Sequence, residues 1–272
     1  MSRIGLVAGS GKLPLVFSKI AKEKGDTVIA FGIKGITEEG IEECVDKIHW
    51  LKWGELQKAV ILLAVEKIRK IILLGKVKKE IFFSDPAKGG GTGLDETAKN
   101  LLNKIGDKKD YSILNEITRV LAKVGIEVMD VTAYLKEIIP TKGILTRKTP
   151  TEKEWEDINY GHSVGKGLSG FDIGQTVAVK DKIVIALEAM EGTDETLARA
   201  GRLVNGGFAA VKVARPEQDM RFDVPLVGLD TLNTLAKARG SVLAVEGGKT
   251  LLLDKEEIIK LADEKGIAVV VI

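Results

Sequence analysis

The first half of the chain alternates apolar, strand-like runs with amphipathic, helix-like runs. "RIGLVAG" predicts a strand that ends in glycine, "SGKLPLVFSKIAKEKG" predicts a turn and a helix, and "DTVIAFGI" predicts the next strand. Such a strand–helix–strand unit requires a parallel sheet, because the helix carries the chain back to the end from which the first strand began. The alternation continues to about residue 135. We therefore predict an α/β fold with an N-terminal Rossmann-like, doubly wound parallel sheet over residues 1–138.

The second half follows a different pattern. A stretch with two prolines and no hydrophobic period indicates a linker at residues 139–151. Beyond it, "GQTVAVKDKIVIALEAM" predicts two strands joined by a tight turn, and "SVLAVEGGKTLLLD" predicts a second hairpin around Gly247 and Gly248. Hairpins mixed with strand–helix units predict a C-terminal mixed-sheet α/β domain over residues 152–272.

The composition excludes several classes of protein. With 44% apolar residues the chain can build a core without disulfides, and its single cysteine, Cys44, forms no intramolecular disulfide. One Cys and two His disfavour a zinc site. A net charge of +2 without long Lys/Arg blocks disfavours nucleic-acid binding. No apolar run approaches the roughly 20 residues needed to span a bilayer, so we expect a cytoplasmic protein.

A glycine-containing loop, "AGSGKLP", follows the first strand and opens a helix. Gly9 and Gly11 would let the backbone approach a phosphate, and Lys12 would add a positive charge. Pro14 stands where the dinucleotide-binding fingerprint has its third glycine, and a purely structural turn explains the loop equally well. Lys34, rather than an acidic residue, follows the second strand, which counts against NAD but tolerates NADP. An NAD(P)-dependent oxidoreductase therefore stays an alternative, as does a non-catalytic lipid- or nucleotide-binding protein.

"EGTDETLAR", residues 191–199, places acidic residues where a strand meets a helix. Acidic side chains at a helix N-terminus are electrostatically ordinary, so capping is one interpretation. The other is that the carboxylates of Glu191, Asp194 and Glu195 hold a divalent cation or orient a hydroxyl.

"RPEQDMRFDVP", residues 215–225, is the strongest candidate site. The strand "FAAVKVA" brings Lys212 toward its carboxyl end, where functional loops of α/β proteins gather. Between the two prolines come Gln218, Asp219, Arg221 and Asp223. Arginine can bind phosphate in a bidentate manner, and a carboxylate can bind Mg²⁺ or abstract a proton from water. An internal Asp–Arg salt-bridge network is the alternative.

Five motifs in this order resemble those of the LpxI-type UDP-2,3-diacylglucosamine pyrophosphatases. The resemblance extends over essentially the whole chain, and its C-terminal motifs are the more specific ones. The motifs are "AGSGKLP" at 8–14, "GK" at 75–76, "DIGQTVAV" at 172–179, "EGTDETLAR" at 191–199 and "RPEQDMRFDVPLVGLDT" at 215–231.

The resemblance implies an enzyme of lipid A biosynthesis that hydrolyses the diphosphate of UDP-2,3-diacylglucosamine to UMP and 2,3-diacylglucosamine 1-phosphate. It implies dependence on Mg²⁺, for which Mn²⁺ could substitute, and water attack on the β phosphorus. Two α/β domains would enclose the lipid-linked UDP-sugar. It also implies transient contact with the inner membrane surface, as a cytoplasmic or peripheral protein, and a homodimer.

The same resemblance assigns roles to residues of this chain. Asp219 and Asp223 match the motif of the catalytic Asp, and one sequence does not decide which is base and which metal ligand. From residue chemistry, and not from the resemblance, we expect Asp194 to be a catalytic residue that acts as a supporting ligand. Arg215 stands where the family is expected to have lysine, which preserves the charge. The expected substrate-binding residues are Gly9, Gly11, Lys12, Gln175, Thr193, Lys212, Gln218 and Arg221.

Overall fold

The computed structural model describes residues 1–76, 93–105, 110–222 and 224–272. These residues form two compact units. The described residues within Met1–Leu135 and Asp219–Asp223 make up the first, and those within Lys136–Gln218 and Val224–Ile272 make up the second. No helix within the described ranges is long and apolar enough to cross a membrane.

The first unit is built on a parallel sheet. Its strands are β1 (Arg3–Ala8), β2 (Thr27–Ile33), β3 (Lys47–Leu51), β4 (Lys70–Leu74) and β5 (Glu127–Val128). Their order is β3-β2-β1-β4-β5, and every pair is parallel. The described helices are α1 (Leu13–Glu23), α2 (Ile41–Cys44), α3 (Leu56–Val65), α4 (Glu96–Lys104), α5 (Asp110–Lys123) and α6 (Thr132–Leu135). The predicted Rossmann-like sheet is confirmed, and its strand order reverses between β1 and β4.

The second unit contains a mixed sheet, as predicted. Its strands are β6 (Gly143–Ile144), β7 (Thr176–Lys180), β8 (Ile183–Leu187), β9 (Ala209–Lys212), β10 (Leu226–Val227), β11 (Val242–Val245), β12 (Leu251–Leu252) and β13 (Ala268–Val271). The main sheet has the order β6-β13-β11-β9-β7-β8, and β10 pairs separately with β12. A 3₁₀ helix (Lys136–Ile138) precedes β6, and the α-helices are α7 (Glu152–Gly170), α8 (Thr193–Leu203), α9 (Leu229–Lys237) and α10 (Lys255–Lys265). Strand β6 falls within the range 139–151 and pairs antiparallel with β13.

One predicted hairpin is confirmed and the other is wrong. Strands β7 and β8 pair antiparallel. Strands β11 and β12 do not pair with each other: β11 lies parallel to β9 and β13, and β12 lies parallel to β10. The apolar run of β11 is buried on both faces, which is typical of a central parallel strand, and the glycine pair after it belongs to a loop that leads to the separate two-stranded sheet.

Successive residues of β9 face opposite sides of the sheet. Ala209 and Val211 pack in a cluster with Ile158 of α7, whereas Phe208 and Ala210 pack in a second cluster with the α8 and α9 side chains. Helix α7 approaches closely because it presents glycine: a Cβ on Gly161 would lie 2.8 Å from Cγ2 of Val211. The same alternation directs Lys212 to the α8 side.

The buried Asp157 of α7 holds the turn between β7 and β8. Its carboxylate accepts hydrogen bonds from the backbone N–H groups of Asp181, at 3.0 Å, and Lys182, at 2.6 Å. Both turn residues are left-handed, with φ of 51° and 58°, a conformation that costs a non-glycine residue energy. The Asp157 carboxylate therefore stabilises a turn that its own residues disfavour.

We predict that Asp157→Ala lowers the free energy of unfolding of the second unit by roughly 1–3 kcal/mol, because two charge-assisted hydrogen bonds are lost. Urea unfolding of the full chain measures the change. The matched control is Glu156→Ala, the adjacent helix residue, whose exposed ion pair with Lys182 should contribute less than about 1 kcal/mol. Equal effects of the two substitutions would contradict the role given to Asp157.

Candidate active site

Three strands of the second sheet bring polar side chains to one edge. Strand β9 ends at Lys212, which pairs with Thr176 at the start of the antiparallel β7. Strand β8 ends at Leu187, opposite Val177. The residue after it, Glu188, therefore lies at the same edge as Lys212. This is the carboxyl edge of β9 and β11, where open α/β sheets place their ligand sites.

Lys212 is the centre of this edge. The residue is only 6% exposed, yet its ammonium group donates hydrogen bonds to Oγ1 of Thr193, at 2.7 Å, and to Oγ1 of Thr176, at 3.4 Å. A buried ammonium needs a compensating negative charge, since removing it from water is costly. Glu188 supplies that charge, with Oε2 at 4.0 Å from Nζ.

Sequence reasoning missed Glu188. Its carboxylate accepts a hydrogen bond from the Thr193 hydroxyl at 2.9 Å and one from the backbone N–H of Gln175 at 3.2 Å. Burial works against its charged form, but the Lys212 ammonium and hydrogen bonds from the Thr176 and Thr193 hydroxyls outweigh burial and lower the pKa of Glu188. The usable sequence signal was an acidic residue directly after the apolar strand "IVIAL".

The residues of the "EGTDETLAR" motif make contacts with different parts of the second unit. Gly192 precedes the helix with φ of 84° and offers no side-chain cap. Thr193 joins the Lys212 cluster, whereas Asp194 accepts a hydrogen bond from the Thr231 hydroxyl at 2.9 Å and so connects α8 to α9. Glu191 instead pairs with Arg199 at 2.7 Å. The catalytic role of Asp194 stays a prediction, as does the binding role of Thr193.

Residues 215–218, at the start of the "RPEQDMRFDVP" segment, are held by contacts within the second unit. Arg215 forms a short ion pair with Asp172, and both side chains are largely buried. The Arg215 backbone N–H donates to Oε1 of Gln218 at 3.2 Å. Gln175 and Gln218, both predicted to bind substrate, thus make contacts that shape the backbone around β7 and the segment after β9.

Asp219 and Arg221 belong to the first unit and bind each other. Both Asp219 oxygens accept hydrogen bonds from Arg221, with Nη2 at 2.6 Å from Oδ2 and Nε at 2.9 Å from Oδ1. This hydrogen bonding lowers the pKa of Asp219, so its carboxylate is charged at neutral pH. The salt-bridge interpretation therefore describes this pair, and its reaction role stays a prediction. Asp223 lies outside the described residues.

The glycine-containing loop of the first unit lies where the strand order reverses. A Cβ on Gly9 would lie 2.8 Å from the carbonyl carbon of Gly75, so close backbone packing against the end of β4 requires glycine there. Gly11 has φ of 93°, and its N–H donates to Oε1 of Glu38 at 2.9 Å. Lys12 is exposed at the start of α1. The structural-turn interpretation explains Gly9, while the Gly11 N–H binds a carboxylate of the chain itself.

A preformed metal centre is absent from the part of the chain that the structure describes, since no group of three or more His, Cys, Asp or Glu side chains there is placed to hold an ion. Mg²⁺, however, is commonly held by one or two carboxylates together with substrate phosphate oxygens and water. The charged carboxylate of Asp219 fits that mode of binding.

Comparison with protein families matches both parts of the chain. The model described as LpxI N-terminal domain matches residues 3–138, and that described as LpxI C-terminal domain matches residues 141–270. A relative from Caulobacter vibrioides, "UDP-2,3-diacylglucosamine pyrophosphatase LpxI", is 25% identical over 99% of this chain and 97% of its own length.

Other similarities are partial. The "Bifunctional purine biosynthesis protein PurH" of Bacillus cytotoxicus is 29% identical over 64% of this chain, but over only 32% of its own length. Among solved structures, the biotin carboxylase subunit of pyruvate carboxylase is 14% identical, covers 75% of this chain and 42% of its own, and has a TM-score of 0.27. A TM-score this low supports no argument about fold or function.

The lowered pKa of Glu188 predicts a pH dependence of stability. A carboxylate with a lowered folded-state pKa contributes stability that is present above its unfolded pKa, near 4.5, and that is lost as the pH falls through the folded value. We expect Glu188→Gln to reduce the free energy of unfolding at pH 7, because Lys212 loses its counter-charge. The gap to the unsubstituted protein should narrow as the pH falls below 4.5.

Urea unfolding between pH 7 and pH 3 measures this gap. Glu195→Gln, an exposed acidic residue in the first turn of α8, is the control and should leave the pH profile nearly unchanged. A gap for Glu188→Gln that stays constant down to pH 3 would contradict the proposed charge compensation.

Proposed function

The chain belongs to the LpxI family, and from that membership we propose that it hydrolyses the diphosphate of UDP-2,3-diacylglucosamine to UMP and 2,3-diacylglucosamine 1-phosphate. The Caulobacter relative that carries this activity in its name matches 99% of the chain, which supports the proposal. The product would serve lipid A biosynthesis.

The structural observation that carries the proposal is the buried Lys212 ammonium at the carboxyl edge of the second sheet. A diphosphate gains negative charge on its leaving oxygen as the P–O bond breaks, and fixed cations at that point lower the barrier. Lys212 is already held in place by Thr193 and Glu188, so little reorganisation is needed when an anion arrives. In this proposal Lys212 and Arg221 neutralise the phosphates, and Gln175, Gln218, Thr193 and the Gly9–Lys12 loop bind the rest of the substrate.

The proposed reaction is attack by water on the β phosphorus. A new bond forms between the water oxygen and the β phosphorus, while the bond from the β phosphorus to the bridging oxygen breaks and UMP leaves. The water proton passes to a carboxylate, for which Asp219 and Asp223 are the candidates and Asp194 the supporting group. Asp219 is charged at neutral pH and can accept or orient a proton.

Asp219 and Asp223 are also the proposed ligands of Mg²⁺, with Mn²⁺ as a possible replacement. When bound, the ion would supply positive charge that neutralises the diphosphate. Because Arg221 now occupies both Asp219 oxygens, substrate binding would have to draw Arg221 toward phosphate. The lowered pKa ensures that Asp219 does not need to lose a proton to become a ligand.

Exposed apolar side chains near the same edge suit a lipid substrate. Phe171 is 73% exposed and Ile173 48%, in the loop before β7, and Met190 is 64% exposed, in the loop after β8. The two loops adjoin each other, because a Cβ on Gly174 would lie 2.1 Å from the carbonyl oxygen of Glu188. We propose that they contact the acyl chains, since burying such side chains is favourable. We also propose a cytoplasmic homodimer that contacts the inner membrane surface transiently.

We predict that Asp219→Asn and Asp223→Asn each reduce UMP release from UDP-2,3-diacylglucosamine by about 100-fold or more, because a base or metal ligand is lost. UMP is quantified by chromatography in the presence of Mg²⁺ and again after addition of EDTA, which should abolish release by the unsubstituted protein. Asp230→Asn, an exposed aspartate in the first turn of α9, is the control and should retain activity.

Near-normal hydrolysis by both single variants would eliminate the assignment of these two carboxylates. Full UMP release in the presence of EDTA would rule out the proposed dependence on a divalent metal ion. No UMP release by the unsubstituted protein, with lipid retained through purification, would instead support a binding protein.

A further inference from the structure

We propose that Lys166 and Glu246 form a clamp on Ala214, and that this clamp positions the chain that leaves β9 after Lys212 for the reaction. These are positioning residues, and the catalytic part of the inference rests on the proposed function. The clamp itself is a property of the second unit alone.

The clamp supplies hydrogen-bond partners for both the backbone N–H and the backbone C=O of one buried residue, Ala214. Ala214 lies two residues beyond the end of β9 and is fully buried. Its N–H donates to Oε2 of Glu246 at 2.9 Å, and its carbonyl oxygen accepts from Nζ of Lys166 at 2.7 Å. Lys166 and Glu246 also bind each other at 3.0 Å, so the three residues close a ring. Buried backbone N–H and C=O groups need hydrogen-bond partners. For Ala214 the Lys166–Glu246 ion pair supplies the partners that a neighbouring strand supplies within a sheet.

The two clamp residues come from regular elements on either side of the segment. Lys166 lies in α7, whose glycines pack against β9, and Glu246 directly follows β11. The backbone N–H of Glu246 donates to the Lys212 carbonyl oxygen at 3.0 Å, which connects the clamp to the centre of the site. Side chains anchored in this way fix both the position and the direction of the chain between them.

The neighbouring residues extend the constraint toward Gln218. The Val213 N–H donates to the Gln175 carbonyl oxygen at 2.9 Å, and the Arg215 N–H donates to Gln218. Asp172 then holds the Arg215 side chain in a largely buried ion pair. Three successive N–H groups are thus bound between Lys212 and Gln218. A loop that only had to connect two elements would not need this number of buried charges.

The test compares variants that alter one member of the clamp with variants that break an exposed ion pair. Lys166→Met removes the donor, and Glu246→Gln keeps the shape of the side chain but removes its charge. The controls are Lys182→Met and Glu156→Gln, which break an exposed ion pair of the same 3.0 Å length in the same unit. Lys166→Arg, which keeps a charged donor, should retain more function than Lys166→Met.

Two readouts are measured on the full-length protein. Hydrogen exchange of the Val213, Ala214 and Arg215 amides should accelerate by about tenfold or more in the clamp variants, since their bound state becomes less stable. For UMP release from UDP-2,3-diacylglucosamine, kcat should fall by roughly 10–100-fold with KM within about threefold, because a small displacement of a reacting group is costly. Both controls should match the unsubstituted protein.

Unchanged amide exchange in the folded Glu246→Gln variant would overturn the clamp. Faster exchange with unchanged kcat would overturn its part in the reaction. If the unsubstituted protein releases no UMP, the proposed function fails, while the exchange measurement still decides whether the clamp orders the segment. Should Lys166→Met not fold, the isosteric Glu246→Gln variant alone decides.

Discussion

The compensated charge of one buried lysine organises the candidate site. Lys212 ends a strand whose other residues are apolar, and its ammonium would be costly to bury alone. Glu188 and the hydroxyls of Thr176 and Thr193 make that burial possible. The same contacts bring the ends of β7 and β8 and the start of α8 to one point. The Lys212 side chain therefore holds these elements together and also supplies a cation suited to binding phosphate.

The second unit combines two kinds of constraint at this edge. Parallel strands β9 and β11 end together, so that the backbone N–H of Glu246, directly after β11, donates to the Lys212 carbonyl oxygen, while the antiparallel hairpin returns Glu188 to the same edge. Buried ion pairs then hold the chain that leaves β9. Buried pairs of this kind add little net stability compared with apolar packing, which favours a role in fixing geometry. Exposed apolar residues beside them suit a substrate that is both anionic and lipidic.

Much of the fold could be predicted from hydrophobic pattern, because β2 is a short continuous apolar run typical of a buried parallel strand and the helix after β1 has one apolar face. The hairpin around Gly247 was wrong because a buried parallel strand followed by glycines has the same local signature as a hairpin. In the candidate site, Lys212 and Thr193 were singled out from the sequence, but their partner Glu188 was not. Glu188 and Lys166 act through contacts 24 and 80 residues distant in sequence, to Lys212 and Glu246, which only the folded sheet creates.

In the proposed reaction, water attacks the β phosphorus of the nucleotide-sugar. The most direct test is hydrolysis of UDP-2,3-diacylglucosamine in ¹⁸O-labelled water with Mg²⁺, followed by mass spectrometry of both products. Attack at the β phosphorus would leave one ¹⁸O atom in 2,3-diacylglucosamine 1-phosphate and none in UMP, because the bridging oxygen leaves with UMP. Label in UMP, or no UMP at all, would contradict it.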